Sequence, residues 1–497
     1  MKISALALLT LIVLAGAAEA KTLRVATISP AISFANPYAR DEGGYLRPSI
    51  YDGLTLVTRR GELKPALAES WTIENDTTWV FKLRPHVVFS NGETFDAEAA
   101  ASAIKNLIDP AQRFPRALDV TGIAGVRVRD PLTLEVITAK PDPLLARKLN
   151  MAPIPAPKAW KEMGVEAFSK APVGTGPYKV VKWDSARTVL EAVPTSWRKA
   201  REITKIETTV TPDASARVKA LLSGRVDIAL GLGPDDIDAV KDAGYDIRIT
   251  PVINVSVLAY RTVRDDASPL KDVRVREALN YAVDRDSIVR EILGGTTRVA
   301  SQGVVPGAPG YNPDLKPYPY DPAKAKALLA AAGYTNGFPL TIAVYSGLLP
   351  NDTTMFQKMA QDFAAVGVKV ELRTMTFADY ARRLFNGDWQ GIDAFSNGWL
   401  SVGYGDPMRA IDQFSCNYNA PFICEPALLP KIEAVRYEMD PAKREKLMQD
   451  LMVDYRNAAA ALWLIEFSFI TGLNTAIKNF DTYANGISYE DITLDRP

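Results

Sequence analysis

The chain has 497 residues, 47% hydrophobic and 23% charged, a length that calls for two or more cores. Lysine plus arginine equals aspartate plus glutamate at 58 each, so bulk charge gives no reason to expect a nucleic-acid or anionic-membrane partner. One histidine leaves little room for histidine-based zinc sites, Ser-His-Asp triads or Cys-His dyads.

Residues 1–20 read as an export signal: Lys2 gives the positive start, Ala5 to Leu14 the apolar stretch, and Ala18-Glu19-Ala20 a small-x-small cleavage site. The apolar run is too short to span a bilayer, and no later segment is long enough. The mature chain is expected to start at Lys21, with no cysteine to carry a lipid. Leu23 to Ala26 then alternates as a first strand.

In the stretch IYDGLTLVTRRGELKPALAESWTIENDTTWVFKLRPHVVFSNGETFDAEAAASAIKNLIDPA, Trp79, Phe81 and Leu83 alternate with Val80 and Lys82 as in a half-buried strand. Asn91-Gly92 supplies a turn, and Asp96 stands where it can cap a helix containing Ile104 and Leu107. Gly174-Thr175-Gly176-Pro177-Tyr178 lacks the phosphate-loop spacing and leads into a strand, so it reads as a turn. Helix and strand units follow: Asp213 caps a helix that Gly224 stops, and Val226 to Leu230 forms a buried strand. Val252 to Ala259 alternates, and Val275, Leu279 and Ala282 recur at helical spacing. Asp321-Pro322 and Asp440-Pro441 each begin a helix, and one around Met355, Met359 and Phe363 precedes the strand Val368 to Leu372. The alternation predicts an α/β lobe.

Tyr51-Asp52-Gly53-Leu54, Leu67-Ala68-Glu69-Ser70-Trp71, Phe81-Lys82-Leu83-Arg84 and Phe89-Ser90-Asn91-Gly92 stand in conventional order. So do the Gly174 to Tyr178 turn and the set Val275, Arg276, Ala278, Ala282, Asp284 and Arg285. Together they resemble the large solute-binding proteins of ABC importers, the dipeptide/oligopeptide/nickel-binding family, from about Ile50 to Phe467. The resemblance implies an α/β fold, a two-lobed type II clam-shell with an extra α+β subdomain in the first lobe. The expected divisions are residues 21–49, 171–255 and 467–497 for lobe I, 50–170 for the subdomain and 256–466 for lobe II. It also implies a monomeric periplasmic receptor with no cofactor. Such a receptor captures a peptide or peptide-sized polar solute and passes it to permease subunits at the inner membrane. The rival readings are a secreted hydrolase on a similar scaffold and a periplasmic chaperone or sensory partner.

The resemblance directs the ligand site to DAFSNGWLSVGYGDPM, with Asn397, Trp399, Tyr404 and Asp406 as candidates. Peptide-binding relatives carry an aspartate three residues after the tryptophan; here Val402 stands there, and Ser346 stands nearest the position of their carboxylate-binding arginine. A simple zwitterionic dipeptide is therefore not expected, because a buried ammonium without a counter-ion costs several kcal/mol. Nickel is not expected either, since His86 lies in the wrong subdomain. Arg261 is a candidate for pairing with an acidic solute if it faces the cleft, and an exposed strand-end arginine otherwise. Tyr38 is a candidate at the first lobe's edge. Cys416 and Cys424 read as a disulfide, worth roughly 2–3 kcal/mol by loop closure, with two separate buried thiols as the alternative.

Overall fold

The computed structural model describes residues 21–29, 36–39, 44–345, 351–401, 404–483 and 486–495. The export signal, Ser346 and Val402 lie outside these residues. Two strands organise everything else: Asp246–Tyr260 and Ala461–Leu473, antiparallel and paired along most of their length. They sit in the middle of ten hydrogen-bonded strands. On one side of them come Ala394–Leu400, Pro339–Tyr345 and Lys369–Met375; on the other come Ile228–Leu230, Thr22–Thr27, Lys205–Val210, Arg187–Ala192 and Tyr178–Trp183.

Between the two halves the pairing breaks. It jumps from Pro251 opposite Ser468 to Val255 opposite Glu466, so the first strand takes up extra residues. A bulge of this kind bends a strand and raises its twist. Part of the break is open to solvent: Pro251 is exposed, and Phe469 is 47% exposed. Short of the bulge, the strand beginning at Asp246 is a sheet edge; beyond it, the same strand gains Ala394–Leu400 as a second partner.

Separate cores lie on the two sides of the bulge. Leu23, Val25, Ile206 and Ile228 pack with the subdomain and with Ile477, Tyr489 and Leu494 of the C-terminal segment. The opposite face of that half buries Ala26, Leu221, Leu232 and Val240. Past the bulge, alternation sorts the strands onto two faces. Val255, Val257, Trp399 and Trp463 go to one, and Leu258, Tyr260, Leu462 and Leu464 to the other. Below, the first half with its subdomain is called lobe I and the second lobe II.

The subdomain sheet has the order Ala68–Asn75, Thr78–Leu83, Thr133–Thr138, Ile123–Asp130. The helix Ala97–Ile108 lies beside it, and Asp96 caps that helix by accepting from the Ala99 amide. Several of the family-like residues act as joints. Asp52 accepts from Thr175 Oγ1 at 2.8 Å, from Trp197 Nε1 at 2.9 Å and from Arg198 Nε at 3.0 Å. Arg198 also pairs with Glu490, tying the returning C-terminal segment to lobe I. In lobe II, Arg276 and Arg285 are almost wholly buried. They donate to main-chain carbonyls of Leu270 and Ala458, and of Asn280 and Trp463. Cys416 and Cys424 are joined by a disulfide.

Candidate ligand cleft

The strand Ala394–Leu400 delivers its C-terminal end to the bulge. Trp399 lies opposite Val255, Leu400 opposite Asn254, and the Ser401 amide donates to Asn254 Oδ1 at 2.9 Å. A turn then carries Tyr404 and Gly405 against lobe I. Arg147 of lobe I, from the short helix Leu145–Lys148, donates through Nη1 to the carbonyl of Gly61 at 2.6 Å and to that of Tyr404 at 3.1 Å. Gly61 and Gly405 touch there, both with positive φ. A β-carbon on Gly405 would come within 2.9 Å of Gly61 Cα, so only glycine lets the lobes approach this closely. Burial lowers the Arg147 pKa, opposed by the field of Asp406. Arg409 approaches Asp119 at 3.8 Å, and Lys140 lies 5.1 Å from the Tyr437 ring, both across the same seam.

Two features mark the lobe II side of the seam. The first is aromatic: Trp399 is fully buried against Phe414 (4.7 Å between centroids), Tyr455 (5.1 Å) and Trp463 (5.1 Å). Leu144, from lobe I, belongs to the same buried cluster. The second is a set of buried donors with no hydrogen-bond partner among the described residues: Asn397 Nδ2, Trp399 Nε1, Ser401 Oγ and Trp463 Nε1. Asn397, Trp399 and Ser401 are alternate residues, and Trp463 is cross-strand to Val257, which is itself opposite Asn397. Buried polar groups are normally hydrogen-bonded, and an unmet one costs about 1–3 kcal/mol. Clustered next to an interlobe seam, these donors suit acceptor atoms of a bound solute.

The other sequence candidates are placed differently. Asn397 Oδ1 is occupied, accepting from Tyr380 Oη at 2.8 Å and from the Gly398 amide. Tyr404 is buried and reaches lobe I through its carbonyl. Asp406 does not stand free for a ligand. Its carboxylate is paired at both oxygens with Arg444, at 2.6 and 3.0 Å, and it also accepts from the Met408 amide. Burial by itself would raise this carboxyl; the Arg444 guanidinium holds it below the usual range.

Arg261 corrects an expectation. It follows the far end of the long strand, with its amide on the Asp393 carbonyl, and its guanidinium donates to the carbonyls of Trp389 and Ile392. At about 3.4 Å per strand residue, Arg261 lies ~20 Å from Val255 and the seam. It is a loop clamp, and its guanidinium gives no reason to expect an acidic solute in the cleft. Tyr38 is likewise no edge residue. It is fully buried, packed on Phe114 and Trp160 at 4.9 and 5.2 Å, with its hydroxyl on the Ala103 carbonyl.

Sequence reasoning passed over Leu144, Arg147, Ser401, Trp463 and Gly303, whose main chain lies against the Trp399 indole. Pattern gave no signal for Leu144, Arg147, Ser401 or Gly303. Trp463 sits in the uniformly buried run Ala461–Ile465, which reads as core.

The chain is 29% identical to the nickel-binding periplasmic protein of Escherichia coli (strain K12), over 91% of both chains. It is 30% identical to heme-binding protein A of Haemophilus influenzae, over 70% of this chain and 67% of that one. NikA from Brucella suis, solved with Fe(III)-EDTA, superposes with a TM-score of 0.83 at 25% identity, covering 95% of this chain and 99% of that one. The fold of DppA from Helicobacter pylori, solved with the peptide STSA, matches with a TM-score of 0.82 at 22% identity, covering 96% and 98%. These are type II periplasmic binding proteins, and the present fold is of that class. No helix among the described residues is long and apolar enough to cross a membrane. Residues 62–422 match the pattern of the bacterial extracellular solute-binding proteins, family 5 middle, and the chain belongs to that family.

Proposed function

We propose that this chain is a periplasmic receptor that encloses a peptide or peptide-sized polar solute between its lobes and hands it to the permease of an ABC importer. Trp399, Asn397, Ser401 and Tyr404 stand on the lobe II side, with Leu144 and Arg147 opposite. The observation that carries the reading is the row of unpartnered donors beside the seam. A site offering indole N–H, amide N–H and hydroxyl groups asks for carbonyl or carboxylate oxygens in its ligand. Asp406 is committed to Arg444, so it is not left for a ligand ammonium. A solute rich in acceptors and poor in cationic groups fits this wall: a blocked or cyclised peptide, or an amino-acid conjugate.

Capture without turnover is the role consistent with the family. Export, cleavage after Ala20, release as an unlipidated monomer and delivery to a permease belong to this reading. The bulge between Pro251 and Val255 is the natural hinge, because its backbone pairing is already interrupted.

A thermal-shift screen over peptides, opines, sugar acids and sugar phosphates, followed by calorimetry and small-angle scattering on the hits, tests the proposal. A ligand that raises the melting temperature, contracts the protein and is recovered unchanged supports it. Chemical conversion of the ligand during incubation would defeat it in favour of the hydrolase reading.

A further inference from the structure

Lobe I carries a concave site of about 420 Å³ on the near side of the bulge. Arg59, Arg201 and Arg248 converge on it, together with Asp481 and Asp491. Arg59 Nε donates to Asp481 Oδ1 at 2.7 Å, and Arg201 Nε lies 3.2 Å from Asp491 Oδ1. Each carboxylate thus answers one arginine. Arg248 has no ion-pair partner among the described residues and stands exposed on the edge half of the long crossing strand. A concave surface holding an excess of one sign focuses its potential inward and draws a counter-ion.

The walls are not purely polar. Ile249, 39% exposed, and Phe480 line the same space. Every lining residue belongs to lobe I or to the crossing strand before the bulge. The site therefore stays whole whether the lobes are open or closed, and it shares no residue with the cleft wall around Trp399.

We propose that this cavity binds a small soluble oxyanion, a carboxylate or phosphate ester joined to an apolar body, independently of the solute in the cleft. The Arg248 guanidinium would supply the free fork for two of the anion's oxygens. Arg59 and Arg201 would add field, and Ile249 and Phe480 would cover the apolar part.

Calorimetry at low ionic strength with phenyl phosphate and with inorganic phosphate tests it on the full mature chain. The expected result is one saturable site, tighter for phenyl phosphate, weakened about tenfold or more by Arg248→Ala and only partly restored by Arg248→Lys. Arg382→Ala, an exposed lobe II control, and Ser401→Ala in the cleft should leave the affinity unchanged. Absence of saturable binding overturns the proposal. So does equal affinity in Arg248→Ala, or an equal loss in Arg382→Ala, which would mark general attraction to surface charge. A loss confined to Ser401→Ala would move the anion to the cleft, and equal affinity for both probes would remove the apolar body from the proposal.

Discussion

Gly303 lies flat against the indole of Trp399. A β-carbon at position 303 would fall 2.5 Å from Cε2 and 2.7 Å from Nε1. The indole is thus held on one side by main chain and also packs against Phe414, Tyr455 and Trp463. If Trp399 walls the pocket, Trp399→Ala should weaken ligand binding by roughly 2–4 kcal/mol, about thirtyfold or more in dissociation constant. Gly303→Ala should do so indirectly, by pushing the ring off its seat. Both effects are read by calorimetry with the identified solute, and unchanged affinity in Trp399→Ala would place the site elsewhere.

Arg261→Ala should leave solute affinity within about twofold, because the residue serves two carbonyls ~20 Å from the seam. The variant should show its effect in a lowered unfolding midpoint instead. A large loss of affinity in calorimetry would restore Arg261 to the cleft.

Asp406 and Arg444 form a buried pair, so removing one partner strands the other's charge or its hydrogen-bonding capacity. Asp406→Asn and Arg444→Met should each cost about 3–5 kcal/mol in urea unfolding. The depressed Asp406 carboxyl also gives a pH dependence. Its contribution is fully present above its unfolded value near 4 and is lost as pH falls through the lower folded value. Asp406→Asn should therefore flatten the acid limb of the stability curve.

Glu466, at the bulge, has the opposite sign. Burial raises its carboxyl above the usual range, against the partial opposition of Arg298. Its uncharged form is favoured by folding, so this contribution is fully present below about pH 4.5 and declines as pH rises through the raised folded value. Glu466→Gln should remove that decline. Denaturant midpoints across the range decide it, and parallel curves for variant and wild type would refute the assignment.

The Cys416–Cys424 link should leave no alkylatable thiol in the native protein by mass spectrometry. Its reduction should cost roughly 2–3 kcal/mol of stability. Two free thiols in unreduced material would contradict the pairing.

Much of the fold was legible because it rests on local rules. Asp96, Asp213, Asp321 and Asp440 each cap the helix that follows, as their positions before apolar-periodic runs required. The family-like residues proved informative about architecture for a physical reason: Asp52, Arg276 and Arg285 are buried, and their side chains are consumed by main chain and neighbouring side chains. They identify the scaffold and say little about the solute. Arg261 and Tyr38 misled because sequence position near a crossing strand or lobe edge does not report which way a side chain leaves it.

By itself, then, the sequence determined the element order, the caps and the family, since each depends on residues within a few positions of one another or on landmarks read in series. Tertiary structure alone decided the seam. Arg147 meets Tyr404 and Gly405 across more than half the chain, Gly61 meets Gly405, and Asp406 is claimed by Arg444. Those pairings depend on where the two crossing strands lose register at Pro251 and Ser468, and no local pattern of apolar and polar residues encodes a contact between segments so far apart.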